Sequence, residues 1–409
     1  MSDVLPIELF VILALLASFV AIVAKRAAVP YSVALVLAGL GIAFLVPASE
    51  IQVTPDLILA VLLPGLVFEA AYHTHAGELR RTFGIVAVLA APGVLITAAV
   101  VAVIVSATTG LDPASAFLLG AMISATDPVA VVALFKRLGA PSRLSTAVEA
   151  ESLLNDGTGV VLFAIALEAV RAPVSLPDAA VRFVGAIVIS AVIGLVAGFA
   201  TRWVMRVAND HLIETTLSVA AAYGTYLLAD RIHESGIIAT VVVGLVLGND
   251  AGFAQRTEEA LDIVWDFIAF LLTALTFLLM GLAMTPALLG SALAVIVAGY
   301  VAITIARALV VYGVIGGGER IGPSPPLLPL GYLHVMFWAG LRGAVAVALA
   351  LALPLDLPNR GLLAGAVYGI VLVTLLVQGT TAGWVVRRAG VLGTGDEERE
   401  PAAADPAPG

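Results

Sequence analysis

The residues best suited to chemistry lie in one short string, residues 151–157, which read Glu-Ser-Leu-Leu-Asn-Asp-Gly. On a helix, residues four apart share a face, so Asp156 aligns with Ser152 and Asn155 aligns with Glu151. One face therefore offers a carboxylate with a hydroxyl, and the neighbouring face offers a second carboxylate with an amide. Oxygen donors of this kind suit a proton or a hard cation. The structural alternative is a polar cluster that satisfies its own hydrogen bonds between helices.

The string lies inside an apolar segment, residues 144–169, that is long enough to cross a bilayer as a helix. A charge near the bilayer centre costs at least about 2.5–3.5 kcal/mol on insertion scales. An acid embedded at that depth is therefore a functional-site hypothesis by default.

Composition supports a membrane setting for the whole chain. Of the 409 residues, 61% are hydrophobic and 12% are charged, whereas soluble domains carry about 25% charged residues. The chain has no cysteine, which excludes disulfides, thiolate metal sites and cysteine catalysis. Its five histidines form no metal-binding motif, and at a net charge of −9 no basic stripe indicates nucleic acid. We therefore predict an all-α polytopic membrane protein.

Hydropathy and turn residues divide the chain into about thirteen transmembrane helices. The predicted spans are approximately 5–24, 30–47, 55–74, 82–107, 113–136, 144–169, 181–207, 211–229, 235–248, 258–284, 286–316, 325–353 and 361–386. No basic residue precedes the first apolar run, so we interpret it as a spanning helix and not as a cleaved signal peptide. Residues 394–409 are acidic and rich in Ala and Pro, which predicts a short disordered tail.

Lysine and arginine are concentrated in alternate loops, and the positive-inside rule places those loops in the cytoplasm. The N-terminus is then outside and the C-terminus is cytoplasmic, as an odd number of spans requires. The basic residues of the cytoplasmic set are Lys25, Arg26, Arg80, Arg81, Lys136, Arg137, Arg143, Arg202, Arg206, Arg256, Arg320, Arg387 and Arg388.

Two predicted spans should be interrupted near the middle of the bilayer. In the fifth span Asp127 precedes Pro128, and proline disfavours helical geometry at the residue before it. In the twelfth span Gly340 and Gly343 flank Arg342. The two spans are seven apart, so they run in opposite directions, as expected of two inverted six-helix repeats in a secondary transporter. Taken singly, each interruption could instead be a proline kink or a site of close helix packing.

Other classes of protein fit the chain less well. An ion channel would also embed acids, but it needs a continuous pore and no obligatory counter-ion. An intramembrane protease needs Gly-x-Gly-Asp, or Gly-x-Ser-Gly with a histidine, and neither string occurs in the chain. A receptor or scaffold would not require breaks at matched positions. We therefore predict a transporter and not an enzyme.

The motifs now identify a resemblance. Residues 125–132, Ala-Thr-Asp-Pro-Val-Ala-Val-Val, followed by residues 151–156, closely resemble the sodium/proton exchangers, the NhaP/NHE branch of the cation:proton antiporters. Residues 63–70 look like the third-helix segment of that family. Residues 305–307 and 340–344 look like its later arginine segments. The resemblance covers nearly the whole predicted membrane part.

The resemblance implies roles for individual residues. Asp156 would be the principal carrier of cation and proton, Ser152 and Thr126 would help coordinate the cation, and Glu69 would contribute as it does in some members. Asp127, also a candidate for the ion and proton site, is expected to cap the broken helices. A supporting network would comprise Asn155, Glu151, Arg307 and Arg342. We favour Arg307 as the partner of Glu151 and Arg342 as the charge at the second break, but the two arginines could be exchanged.

The resemblance also implies an architecture and an activity. Within a transmembrane domain of residues 1–393, a core of about 82–169 and 286–388 would move against a dimerisation part of about 5–74 and 211–284, with 181–207 as linker helix. The protein would be a homodimer in the cell membrane that exchanges Na⁺ or Li⁺ for H⁺ and uses no cofactor beyond these ions. An Asn before the carrier, here Asn155, is associated with electroneutral exchange. A K⁺/H⁺ exchanger with the same mechanism is the alternative.

Overall fold

The computed structural model describes residues 5–27, 30–45, 56–208, 210–249, 253–284, 286–317 and 328–392. Within these ranges the chain consists of helices and their connections, with no β-strand. The predicted all-α class is therefore confirmed. The predicted tail, residues 394–409, lies outside the described residues, as does Arg320.

The helices are numbered here in chain order. The first half contains α1 (Leu5–Ala27), α2 (Tyr31–Leu45), α3 (Leu63–Tyr72), α4 (Ala76–Ala90), α5 (Pro92–Thr109), α6 (Pro113–Met122), α7 (Val129–Leu138), α8 (Ser142–Arg171) and α9 (Leu176–Ala208). The second half contains α10 (His211–Arg231), α11 (Gly236–Gly248), α12 (Gln255–Ala283), α13 (Pro286–Ser291), α14 (Leu293–Ala308), α15 (Leu330–Trp338), α16 (Ala344–Leu351), α17 (Arg360–Thr374) and α18 (Thr380–Arg388). Three stretches are π-helical, Leu57–Leu62, Leu309–Ile315 and Leu375–Gly379.

Length and composition give this helical bundle the character of a multi-pass membrane protein. Within the described part of the chain, seven helical segments are long and apolar enough to cross a bilayer, and four shorter apolar helices accompany them. Helix α9 is 33 residues long and exposes large apolar side chains such as Val196 and Trp203, which suits a lipid-facing surface. The count of thirteen spans and their grouping into two repeats stay predictions.

Both expected interruptions are present. Helix α6 ends at Met122 and α7 begins at Val129, so the unwound segment includes the predicted break at Asp127. Helix α15 ends at Trp338 and α16 begins at Ala344. The two unwound segments are in contact, and the Asp127 N–H donates to the carbonyl oxygen of Leu341 at 2.8 Å. Each break therefore satisfies backbone groups that the other leaves without a helical partner.

Two predicted spans differ from the helices observed. The fourth was expected to begin near residue 82, but α4 begins at Ala76, since its charged first turns lie outside the apolar window. That span is also broken at Ala91, because the following Pro92 has no N–H to continue the helical hydrogen bonds. The eleventh contains a similar interruption at Ala292, between α13 and α14.

Close helix packing positions the site. Helix α8 lies at the centre of the bundle and contacts α3, α4, α5, α6, α7, α9, α11 and α16. Helix α12 packs along α2, where Gly39 and Gly281 face one another. A Cβ on either glycine would meet backbone atoms of the opposite helix. Small residues at such crossings let membrane helices approach closely. The contact with α2 holds α12 in the position from which it lines the cavity beside the interrupted helices.

Candidate functional site

The first unwound segment is held in place by α8. The backbone N–H of Thr126 donates to Oδ1 of Asn155 at 3.0 Å, and Nδ2 of Asn155 donates to the Thr126 hydroxyl at 2.8 Å. The Ser152 hydroxyl donates to the Thr126 carbonyl oxygen. All three side chains are buried. One turn of α8 therefore provides both the carboxylate of the site and the polar groups that fix the broken helix beside it.

Asp127 lies where the two breaks meet. Its carboxylate accepts a hydrogen bond from the Val129 N–H at 3.0 Å, at the start of α7. Its side chain packs against Gly343, the residue before α16, at a position where an added Cβ would collide with the carboxylate. A negative charge is thus placed beside the positive N-terminal ends of two half-helices. This geometry suits a cap for the broken helices, the role expected from the resemblance.

Asp156 lines a cavity of about 100 Å³ between α8, the two breaks, α3 and α12. Ser152, Thr126 and Asp127 line the same cavity, together with apolar side chains that include Leu66. Among the described residues, Asp156 accepts no hydrogen bond and forms no ion pair. Its carboxylate is therefore available to a proton or a cation, and the neighbouring carbonyl and hydroxyl groups offer the oxygen donors that hard cations prefer.

A buried ion pair lies behind this site. Both guanidinium Nη atoms of Arg307 contact the Glu151 carboxylate, Nη2 at 2.9 Å from Oε2. Nε and Nη2 of Arg307 also donate to the Met336 carbonyl oxygen, at 3.2 and 2.6 Å. Glu151 is 2% exposed and Arg307 is 9% exposed. Of the two pairings left open by the sequence, the structure has Arg307 on Glu151.

Arg342 occupies the second break. Its backbone N–H donates to the Thr374 hydroxyl at 3.2 Å, and its side chain is 2% exposed. Nε and Nη1 have no hydrogen-bond partner in the described part of the chain. With Glu151, Asn155 and Arg307, it lines a small polar cavity. A water in that cavity would satisfy these donors.

Glu69 stands apart from the other predicted ligands. Its neighbours Val67 and Ala70 line the cavity of Asp156, but Glu69 itself is not among the lining residues. Its Oε1 lies 3.2 Å from Nδ1 of His73. Glu69, His73 and Asp266 could each direct one ligand atom to a common point. Its expected contribution to cation binding stays a prediction.

Glu149 and three residues of α12 also line the cavity, and the sequence did not assign them to the site. Glu149 lines the cavity and accepts a hydrogen bond from the Ser145 hydroxyl at 3.1 Å. Thr273, Thr276 and Phe277 line the cavity from α12. Their spacing of three and four residues marks one helical face. Threonine is common in apolar helices, so this spacing alone carried little signal.

The fold and site define a polytopic membrane transporter with a carboxylate exposed to a cavity at two helix breaks that contact one another. A family model for the transmembrane sodium/hydrogen exchangers matches residues 11–388, and the chain belongs to that family.

Individual relatives agree with this assignment. The chain is 37% identical over 373 residues to the low-affinity Na⁺/H⁺ antiporter NhaS1 of Synechocystis, covering 89% of this chain and 70% of that protein. It is 35% identical over 347 residues to the Na⁺/H⁺ antiporter NhaP of Pseudomonas aeruginosa, covering 81% of each. The structure of the sodium proton antiporter MjNhaP1 from Methanocaldococcus jannaschii shares the fold, with a TM-score of 0.76 at 20% identity over 96% of this chain and all of that one.

Proposed function

We propose that this protein exchanges Na⁺ for H⁺ across the membrane, with both ions competing for the carboxylate of Asp156. One observation carries the proposal: Asp156 lines the cavity beside the two helix breaks, with no hydrogen-bond partner among the described residues. The sodium/hydrogen exchanger family and the names of the relatives support Na⁺ as the substrate.

The coupling follows from charge. A bare carboxylate is costly to move through a low-dielectric interior, and either a proton or a cation reduces that charge. A site that holds a proton or a cation therefore switches between the two sides of the membrane more readily than an empty site. Each switch carries either a cation or a proton. Ser152, through its hydroxyl, and Thr126, through its hydroxyl or carbonyl, would complete the cation's oxygen shell with water. Glu69 belongs to the proposed site as well, although it is not among the residues that line the cavity.

The electrical character of the exchange depends on Asn155. This amide holds Thr126 and carries no charge. With Asp156 as the one carrier, each cation is exchanged for one proton, so the proposed transport is electroneutral. Li⁺ would compete with Na⁺, since both are small hard cations that take oxygen ligands. The names of the relatives do not favour the K⁺/H⁺ alternative.

The proposed architecture has thirteen spans in two inverted repeats, with the N-terminus outside and the C-terminus in the cytoplasm. A core containing α8 and both interrupted helices would move against a part containing α2, α3 and α12, and two copies would associate through the latter part. The shared fold with MjNhaP1 and the contact between the two breaks support this arrangement.

The experiment uses purified protein in liposomes that hold an internal pH dye and an imposed pH gradient. Na⁺, Li⁺ or K⁺ is added in turn to the wild type, to Asp156→Asn, and to Asp356→Asn, which removes an exposed carboxylate remote from the cavity. Dissipation by Na⁺ in the wild type and Asp356→Asn, but not in Asp156→Asn, is expected. Exchange by Asp156→Asn would refute the assignment of Asp156 as the carrier. Dissipation of the pH gradient by K⁺ alone would refute the assignment of Na⁺ as the substrate.

A further inference from the structure

One threonine hydroxyl in the cavity wall is both shielded from solvent and without a hydrogen-bond partner among the described residues. Thr276 on α12 is 1% exposed, yet its Oγ1 has no hydrogen-bond partner in the part of the chain that the structure describes. Threonines in helices usually donate to the carbonyl four residues earlier. Thr97, Thr109 and Thr304 do so at 2.7 Å. Thr276 does not make this bond, so its buried hydroxyl is left without a partner among the described residues.

Thr276 lies on the face of α12 that closes the cavity of Asp156. Thr273, Thr276 and Phe277 line this cavity from one side, and Ser152 and Asp156 line it from α8. Leu63, Leu66 and Val67 contribute apolar side chains to the wall. The two threonines are thus the polar residues of α12 that line the space where the cation is proposed to bind.

We propose that the Thr276 hydroxyl contacts the transported cation, directly or through one water, and sets its affinity from the side opposite Asp156. The inference rests on the proposed function and adds a residue to it. A hydroxyl oxygen is a suitable donor for Na⁺ or Li⁺. It does not titrate, so it stabilises the bound cation without contributing to proton binding.

This difference separates a cation contact from a general structural role. Removing a cation contact raises the KM for Na⁺ at every pH. It leaves unchanged the pH at which protons begin to compete, because that pH is set by the carboxylate. A disturbance of the Asp156 environment would move both quantities.

The test compares Thr276→Val with the wild type in the liposome assay, measuring the KM for Na⁺ across a pH series. Valine keeps the shape and the β-branch of threonine and removes the hydroxyl. The KM should rise about three- to tenfold, the loss expected for one hydrogen-bond-strength contact. Thr276→Ser, which keeps the hydroxyl, should retain a KM close to that of the wild type. Thr276→Ala replaces the valine variant if the latter does not fold.

The matched control is Thr240→Val. Thr240 is also fully buried in a helix, but its hydroxyl donates to the Ala222 carbonyl oxygen at 3.2 Å and does not line the cavity. Its valine variant should leave the KM unchanged.

The outcomes distinguish the two proposals. A wild type without Na⁺-dependent proton movement overturns the proposed function and this inference with it. An active wild type whose Thr276→Val variant keeps its KM overturns this inference alone. So does an equal effect of Thr240→Val, or a shift of the proton-competition pH together with the KM.

Discussion

Removal of the Arg307 guanidinium should strongly destabilise the protein. Arg307 holds Glu151 with both Nη atoms, and Glu151 is 2% exposed. In an Arg307→Met variant the carboxylate would stay buried without its partner charge. The Met336 carbonyl oxygen would also lose the two hydrogen bonds that Arg307 donates to it.

The expected magnitude follows from the burial of both partners. Breaking a buried ion pair by removing one side costs about 3–5 kcal/mol, because an uncompensated charge stays in the interior. An unfolding entropy of about 2.1 cal/mol/K per residue, applied to this chain, converts that cost into a fall in Tm of about 4–6 °C. Replacing both residues together leaves neither member of this pair as an unpaired charge, so Glu151→Met with Arg307→Met should recover much of the loss.

The assay is thermal unfolding of the purified protein in detergent, for the two single variants and the double variant. The control is Arg171→Met, which breaks an exposed pair with Asp356. Such a surface pair contributes about 0–1 kcal/mol, so the control should change Tm by about 1 °C or less. Equal effects of Arg307→Met and Arg171→Met, or strictly additive effects in the double variant, would refute the reasoning.

Three further perturbations test the surroundings of the site. Gly343→Ala would place a methyl group against the Asp127 carboxylate; overpacking costs about 1–3 kcal/mol, and unchanged Tm and transport rates would contradict this packing of the two breaks. Asn155→Asp adds a charge beside Thr126, so transport should become sensitive to membrane voltage; voltage-independent exchange at the wild-type rate would contradict the assigned role. The backbone N–H groups of Ile213 and Leu212 donate hydrogen bonds to the Asp210 carboxylate and lower its pKa from the ordinary value of 3.8. Its charge therefore stabilises the fold above the unfolded-state pKa of about 3.9 and loses this effect as pH falls through the lower folded-state pKa. The Tm difference between wild type and Asp210→Asn should disappear in that acid range, and a difference that grows there would contradict the assignment.

The positions of both helix breaks could be predicted because local chemistry determines them. Pro128 removes a backbone donor and disfavours helix at Asp127, and Gly340 and Gly343 weaken the helix around Arg342. These effects act within a few residues along the chain, so a single sequence reveals them.

Contacts between helices were harder to predict. Arg307 and Arg342 are both embedded cations, and spacing along the chain does not show which of them reaches Glu151. Thr276 carried no signal, because a threonine in an apolar helix normally bonds to its own backbone. Of the three π-helical stretches, Leu57–Leu62 ends two residues before Pro64, which has no N–H to donate to the Ala60 carbonyl, whereas no proline lies within or beside the other two.

The central claim, competition of Na⁺ and H⁺ for Asp156, is tested most directly by proton release on cation binding. Na⁺ is added to the purified protein in weakly buffered detergent solution, and the pH change is recorded beside the heat of binding. The account predicts that the wild type releases a proton for each Na⁺ that binds and that Asp156→Asn releases none. Na⁺ binding to the wild type without proton release, or equal release by Asp156→Asn, would contradict it.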